Sequence, residues 1–130
     1  ALIRKFYEAK VNHQTSVEIC GTGNPKREFL HVDDMARACV FLMNNYNQKQ
    51  FLNIGTGEDI SVRDLAFLIK NIVGFEGEIV FDTNKTDGTT QKLMDVSKVN
   101  SLGWKHSIGL SDGIKRTVAD YIYQLKANVV

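Results

Sequence analysis

An α/β fold, with short strands alternating with amphipathic helices, is what this 130-residue sequence predicts. Three observations carry the prediction. Short apolar runs of strand length recur at residues 17–20, 51–54 and 78–82. Between them lie stretches with apolar residues three and four apart, such as Val62, Leu65, Leu68, Ile69 and Ile72. Turn formers sit at the junctions, including Gly21-Thr22-Gly23-Asn24-Pro25 and Gly55-Thr56-Gly57.

Taken in order, the opening Ala1-Leu2-Ile3-Arg4-Lys5-Phe6 reads as a helix running to about Lys10, with Leu2, Ile3 and Phe6 on one side and Arg4 and Lys5 on the other. No Ser, Thr, Asp or Asn stands ahead of it to cap the free N–H groups, so the expectation is a chain that begins inside an element of something longer. Residues 11–16 are a polar connector and 17–20 a short strand. After the Gly-Pro turn, Phe29, Leu30 and Val32 predict a second strand running into Asp33 and Asp34, either of which can cap a helix. Met35, Ala38, Cys39, Leu42 and Met43 follow at helical spacing as its expected buried stripe, ending near Asn44 and Asn45.

Residues 51–54 predict a buried strand of a parallel sheet, stopped by Gly55-Thr56-Gly57. Ser61 with Asp64 three positions on is a capping-box variant, and Gly74 falls where a left-handed cap belongs. Residues 78–82 read as a strand, 84–91 as a surface loop, and 97–102 as a short helix ending at Gly103. A long last helix is expected from a cap at Ser111, with Ile114, Val118, Tyr121, Ile122 and Leu125 inward. With no repeat, low-complexity tract or Pro-rich linker, residues 1–130 are expected to form a single unit.

Composition narrows the functional classes. Hydrophobic residues at 43% and charged residues at 24% suit a globular chain with a core. Sixteen basic and 15 acidic side chains leave a net charge of +1, which gives no general attraction to nucleic acid or an anionic membrane. Any anion site must be local. No apolar run approaches the roughly 20 residues that cross a bilayer. Cys20 and Cys39 do not form a Cys-x-x-Cys pair or a disulfide framework, which favours a reduced, cytoplasmic setting.

Both Gly-Thr-Gly triplets invite a dinucleotide-binding reading. The fingerprint requires a small residue three positions on, where Lys26 and Ile60 stand, so they read as turns. His13, His31 and His106 lack metal-ligand spacing, and no Gly-x-Ser-x-Gly elbow supports a hydrolase. Arg27 follows the Gly-Pro turn, where its planar fork suits two phosphate oxygens, or else an ion pair with Glu28 or Asp33. Lys92 ends a Gly-containing loop ahead of Leu93 and Met94, expected to be buried; alone it reads first as a solvated lysine. Asp87 reads as a turn former beside Gly88, Asp95 as a helix cap, and Trp104 as core packing or a lid.

One likeness links these pieces. The segment Ile19-Cys20-Gly21-Thr22-Gly23-Asn24-Pro25-Lys26-Arg27-Glu28-Phe29, the following His31-Val32-Asp33-Asp34-Met35 and Phe51-Leu52-Asn53-Ile54-Gly55-Thr56-Gly57 match, in order and spacing, extended short-chain dehydrogenases of the NAD-dependent epimerase/dehydratase family. Asp87-Gly88-Thr89, Lys92-Leu93-Met94-Asp95 and Leu102-Gly103-Trp104 narrow the resemblance to members that act on GDP-sugars.

The resemblance implies a carboxy-terminal substrate-binding portion of such an enzyme. In that branch GDP-4-keto-6-deoxymannose is epimerised at two carbons and reduced by NADPH. It further implies that Arg27 and Lys92 contact the nucleotide diphosphate, and that Cys20 lies beside the sugar nucleotide, where a larger, often aromatic, residue is usual. The Gly-rich cofactor turn, catalytic Ser and Tyr-x-x-x-Lys pair would lie upstream in a dinucleotide-binding half; Tyr121 to Leu125 lacks the lysine. No catalytic or cofactor-binding residue, and no metal, is therefore expected in this chain: NADP(H) would bind the full-length enzyme, which could pair as a homodimer. The alternative is a non-catalytic nucleotide-sugar-binding or interaction module, or a portion of another nucleotide-sugar epimerase or dehydratase.

Overall fold

The computed structural model describes residues 1–127 and is α/β. Its elements are α1 (Leu2–Val11), β1 (Ser16–Cys20), β2 (Lys26–Glu28), α2 (Val32–Asn45), β3 (Asp59–Ser61), α3 (Val62–Val73), β4 (Glu78–Asp82), β5 (Gln91–Lys92), α4 (Ser97–Ser101) and α5 (Leu110–Lys126). Two small sheets form. In one, β1 and β4 pair in parallel; in the other, β2 lies between antiparallel β3 and parallel β5.

The main core gathers around β1. Its alternation buries Val17 and Ile19 and leaves Glu18 and Cys20 outward. Phe6 and Ala9 of α1, Leu65, Ala66, Ile69 and Val73 of α3, and Ile114 and Val118 of α5 close over them. Phe6 is wholly buried, its ring 5.8 Å from that of Phe75. Helix α3 begins as its sequence predicts: Ser61 Oγ accepts the Asp64 N–H at 3.0 Å. It ends at Gly74 with φ 72°, and Lys10 Nζ donates to its last carbonyl, Val73 O, at 2.8 Å.

A smaller second core holds Ala38, Val96, Val99 and Trp104, flanked by Leu30, Phe41, Leu42, Leu52 and Ile54. Trp104 is therefore a core residue; the N-cap of α4 is Val96, with no side-chain cap, rather than Asp95, which closes a local turn ahead of it by accepting the Ser97 N–H at 2.9 Å.

Six further expectations are corrected. The second strand is Lys26–Glu28 rather than the apolar residues after it, because β3 and β5 flank that charged triplet with backbone partners. Helix α2 then starts at Val32, capped by His31 Nδ1, which accepts the Asp33 N–H at 3.2 Å, rather than by Asp33 or Asp34. Its inward stripe is Asp34, Ala38, Phe41 and Leu42, one residue round from the expected one, so Met35, Cys39 and Met43 are exposed. Residues 51–54 form no strand, for among the described residues no strand pairs with them; Phe51 is 89% exposed. Helix α5 starts at Leu110 after Gly109 with no side-chain cap, so Ser111 is already inside it. Leu93 and Met94 are likewise exposed, lying beyond β5 on no core face.

The outward turn of α2 has one compensation. Asp34, 1% exposed, points inward and accepts hydrogen bonds from Ile108 N (2.8 Å), Arg37 Nη2 (2.5 Å), Ser107 N (3.2 Å) and Ser107 Oγ (3.1 Å). Burial pushes its pKa up, but these donors outweigh burial and bring it down to about 2. The carboxylate thus ties α2 to the segment leading into α5.

Candidate anion site

Strand β2 carries the first functional candidate. The turn ahead of it is built on Gly21 (φ 82°) and Gly23 (φ 80°), a backbone that side-chain-bearing residues rarely adopt. Gly23 also has the Phe81 ring where a Cβ would sit, 2.5 Å away. The turn delivers Arg27 into the middle of a three-residue strand, directly opposite Lys92 in the parallel β2–β5 register. Two cations 65 positions apart in sequence therefore stand side by side.

Neither Glu28 nor Asp33 engages Arg27. Its Nη1 donates to the Lys26 carbonyl at 2.6 Å, and among the described residues it forms no ion pair with Glu28 or Asp33. The alternation of a strand sends Arg27 to one face and Lys26 and Glu28 to the other. Lys26 there meets Asp59 at 4.0 Å. Gly88 lies beside the guanidinium, where a Cβ would make ordinary contact with Arg27 Nη2 at 3.5 Å.

Glu28 is occupied elsewhere. Its Oε1 accepts the N–H groups of Thr56 (2.5 Å) and Gly57 (2.7 Å), and its Oε2 that of Met94 (2.7 Å). Burial raises its pKa, but the amides of Gly57, Met94 and Thr56 outweigh that and hold it below the ordinary glutamate value. The other triplet behaves alike. Thr22 donates its N–H and hydroxyl to Asp87 at 2.8 and 2.5 Å, which lowers the Asp87 pKa. Each Gly-Thr-Gly turn therefore cradles a carboxylate of the chain itself, which agrees with reading both as turns.

Cys20 belongs to the other sheet, at the exposed end of β1 opposite Asp82. Nearby Lys85 lies 3.6 Å from Glu18 and 3.5 Å from Asp82; the field of Cys20 first, then the hydrogen bond to Asp82, raises the Lys85 pKa. The loop from β4 to β5 spans the two sheets: Asp87 holds Thr22, two residues after Cys20, and Gly88 abuts Arg27. The fold thus joins Arg27 to Lys92 directly and reaches Cys20 through this loop. Glu28 and Asp87, the carboxylates that organise it, read in the sequence as an ion-pair partner and a turn former, and nothing there marked them as acceptors for distant amides. Among the described residues no cluster of His, Cys, Asp and Glu could hold a metal, and no helix is long and apolar enough to cross a membrane.

Known proteins match this chain in both sequence and fold. Residues 1–55 match the model of the NAD dependent epimerase/dehydratase family. A plant relative, GDP-L-fucose synthase 1 of Arabidopsis thaliana, is 52% identical over 94% of the chain, which spans 38% of that relative. Among solved structures, MlghC, a GDP-mannoheptose C4 reductase of Campylobacter jejuni with NADP bound, superposes with a TM-score of 0.83 at 45% identity, over 93% of this chain and 43% of that one. A GDP-L-fucose synthetase of Naegleria fowleri bound to NADP gives a TM-score of 0.89 at 30% identity, over 96% of this chain and 40% of that one.

Fold and sequence together make the chain similar to members of the NAD-dependent epimerase/dehydratase family, which are extended short-chain dehydrogenases. Within that class its similarity is to the GDP-L-fucose synthases, the branch to which the segments around Asp87, Lys92 and Trp104 point. The chain spans well under half the length of the relatives it matches.

Proposed function

We propose that residues 1–130 are a single GDP-sugar-binding portion of an epimerase-reductase that converts GDP-4-keto-6-deoxymannose to GDP-L-fucose. In this reading Arg27 and Lys92 bind the diphosphate, Cys20 lies towards the sugar nucleotide, and an upstream dinucleotide-binding half supplies NADPH and the catalytic groups. The observation that carries it is the in-register pair Arg27 and Lys92, with the adjacent Glu28 carboxylate engaged by three amides on the other face of the strand. Two cations left without a carboxylate between them suit a diphosphate, whose charge they offset. Guanidinium and ammonium divide the work: the fork can take two oxygens at once, and the ammonium acts as a point charge. Exposed free thiols at Cys20 and Cys39 suit a reduced, cytoplasmic setting.

The test is enzymatic. Joined to its upstream half, the protein is expected to oxidise NADPH when given the keto-sugar. Arg27→Ala should raise the KM for that sugar roughly 10- to 100-fold, the range of a lost charge-assisted hydrogen bond, and leave the KM for NADPH unchanged. Equal changes in both would remove the assignment.

A second reading, a stand-alone binding module, is favoured by the main core that the chain gathers around β1. Calorimetric titration of the 130-residue chain with GDP separates the two: saturable binding supports the module, and none supports a portion that needs its upstream half.

A further inference from the structure

The junction of β2 with β5 is thin. Only Lys26 with Gln91 and Arg27 with Lys92 are in register, and a parallel ladder of two pairs is a weak fastening. Three further contacts secure it. Lys26 N donates to Thr90 O at 2.8 Å, Gln91 bonds Asp59 of β3, and Met94 N donates to Glu28.

Glu28 reaches both neighbours of its strand through a single carboxylate. Through Oε2 it holds Met94, two residues beyond Lys92; through Oε1 it holds Thr56 and Gly57, in the turn that leads into β3. The site is shaped for this carboxylate. A Cβ on Gly55 would fall 2.3 Å from Oε1, so glycine there gives the carboxylate its room. Glu28 is also one residue from Arg27, so whatever fixes Glu28 fixes the strand that presents Arg27.

We propose that Glu28 is a positioning residue for nucleoside-diphosphate binding, clamping β5 and the β3 turn onto β2 so that Lys92 stays beside Arg27. The inference rests on the reading of Arg27 and Lys92 as diphosphate ligands. Glu28 itself faces away from the anion; its effect passes through the register of the two cations.

The experiment uses the protein joined to its upstream half, with GDP as the probe. Glu28→Gln keeps size and polarity but replaces one acceptor oxygen with a donor that opposes an amide N–H. It is expected to weaken GDP binding by about tenfold or more, the scale typical of losing a contact that orients a ligating side chain. Amide hydrogen exchange at Lys26, whose N–H crosses the β2–β5 junction without touching Glu28, should quicken while the β1 and β4 amides keep their rates.

A merely structural role would lower the melting temperature and leave the GDP affinity of the folded protein unchanged, and that result overturns the proposal. Should the Gln variant not fold, Glu28→Asp, one methylene shorter and unable to span both sets of amides, takes the same two measurements under the same criteria. If Arg27→Ala and Lys92→Ala bind GDP like the parent, the diphosphate reading itself has failed, whereas parent-like binding confined to the Glu28 variants sinks only the clamp.

Discussion

The two cores of this chain are finished to different degrees. Around β1, helices α1, α3 and α5 cover the buried face of a parallel strand pair, and every large apolar side chain in the cluster meets others. Around Trp104 the cover is partial. Helix α2 gives Ala38, Phe41 and Leu42 to the cluster yet leaves Val32, Val40 and Met43 outside, and Phe51 stands in solvent beside an apolar run with no strand partner. Among the described residues the first cluster is covered by three helices, whereas the second leaves large apolar side chains in solvent.

Phe6→Ala tests the finished region and carries the largest expected effect, about 3–5 kcal/mol of destabilisation by denaturant titration, as for other fully buried aromatics. A loss under about 1 kcal/mol would mean that the main core is looser than its packing implies.

Asp34→Asn comes next, because it weakens the link between the regions. Removing one acceptor from a buried carboxylate that serves Ile108, Ser107 and Arg37 should cost about 1–3 kcal/mol. The pH dependence has a definite sign. With a folded pKa of about 2 against an ordinary 3.8, Asp34 contributes stability that is fully present above pH 4 and fades between about pH 4 and 2. Acid unfolding of the Asn variant should lose that part of the slope.

Self-association sharpens the contrast. The unpaired backbone at residues 51–54 and the exposed face of α2 should make the 130-residue chain elute from size-exclusion chromatography at a size that grows with concentration. A constant monomer would mean that the second region is closed in solution.

The smallest effect is expected from Phe51→Ser. In the 130-residue chain it should change stability by less than about 0.5 kcal/mol, as surface changes do. In the protein joined to its upstream half the same change should cost several times more if that side chain becomes buried there.

These regions also explain what could be read from the sequence. Helix α3 was legible from cap to cap because Ser61, Asp64 and Gly74 act locally, and β1 and β4 were legible because β1 alternates and β4 carries three apolar residues in a row. Lys26–Glu28 escaped notice because a surface strand held between two neighbours needs no apolar residues of its own. Residues 51–54 misled for the opposite reason: apolar content proposes a strand, but only a partner's N–H and C=O groups make one. The α2 stripe was misassigned by one position because a buried aspartate, satisfied by donors more than 70 residues away, took the inward place that Met35 was expected to hold. At the site, Arg27 and Lys92 were visible as candidates, whereas the carboxylates that seat them became visible only once their amide donors were placed.

Trp104 turns the unequal cores into something an optical instrument can resolve. It is the single tryptophan of the chain and lies at the heart of the less complete cluster. Its emission therefore reports on that cluster alone, while far-ultraviolet ellipticity is dominated by the helices of the other. Recording both signals through one denaturation would tell, without any label, whether the molecule comes apart in one step or in two.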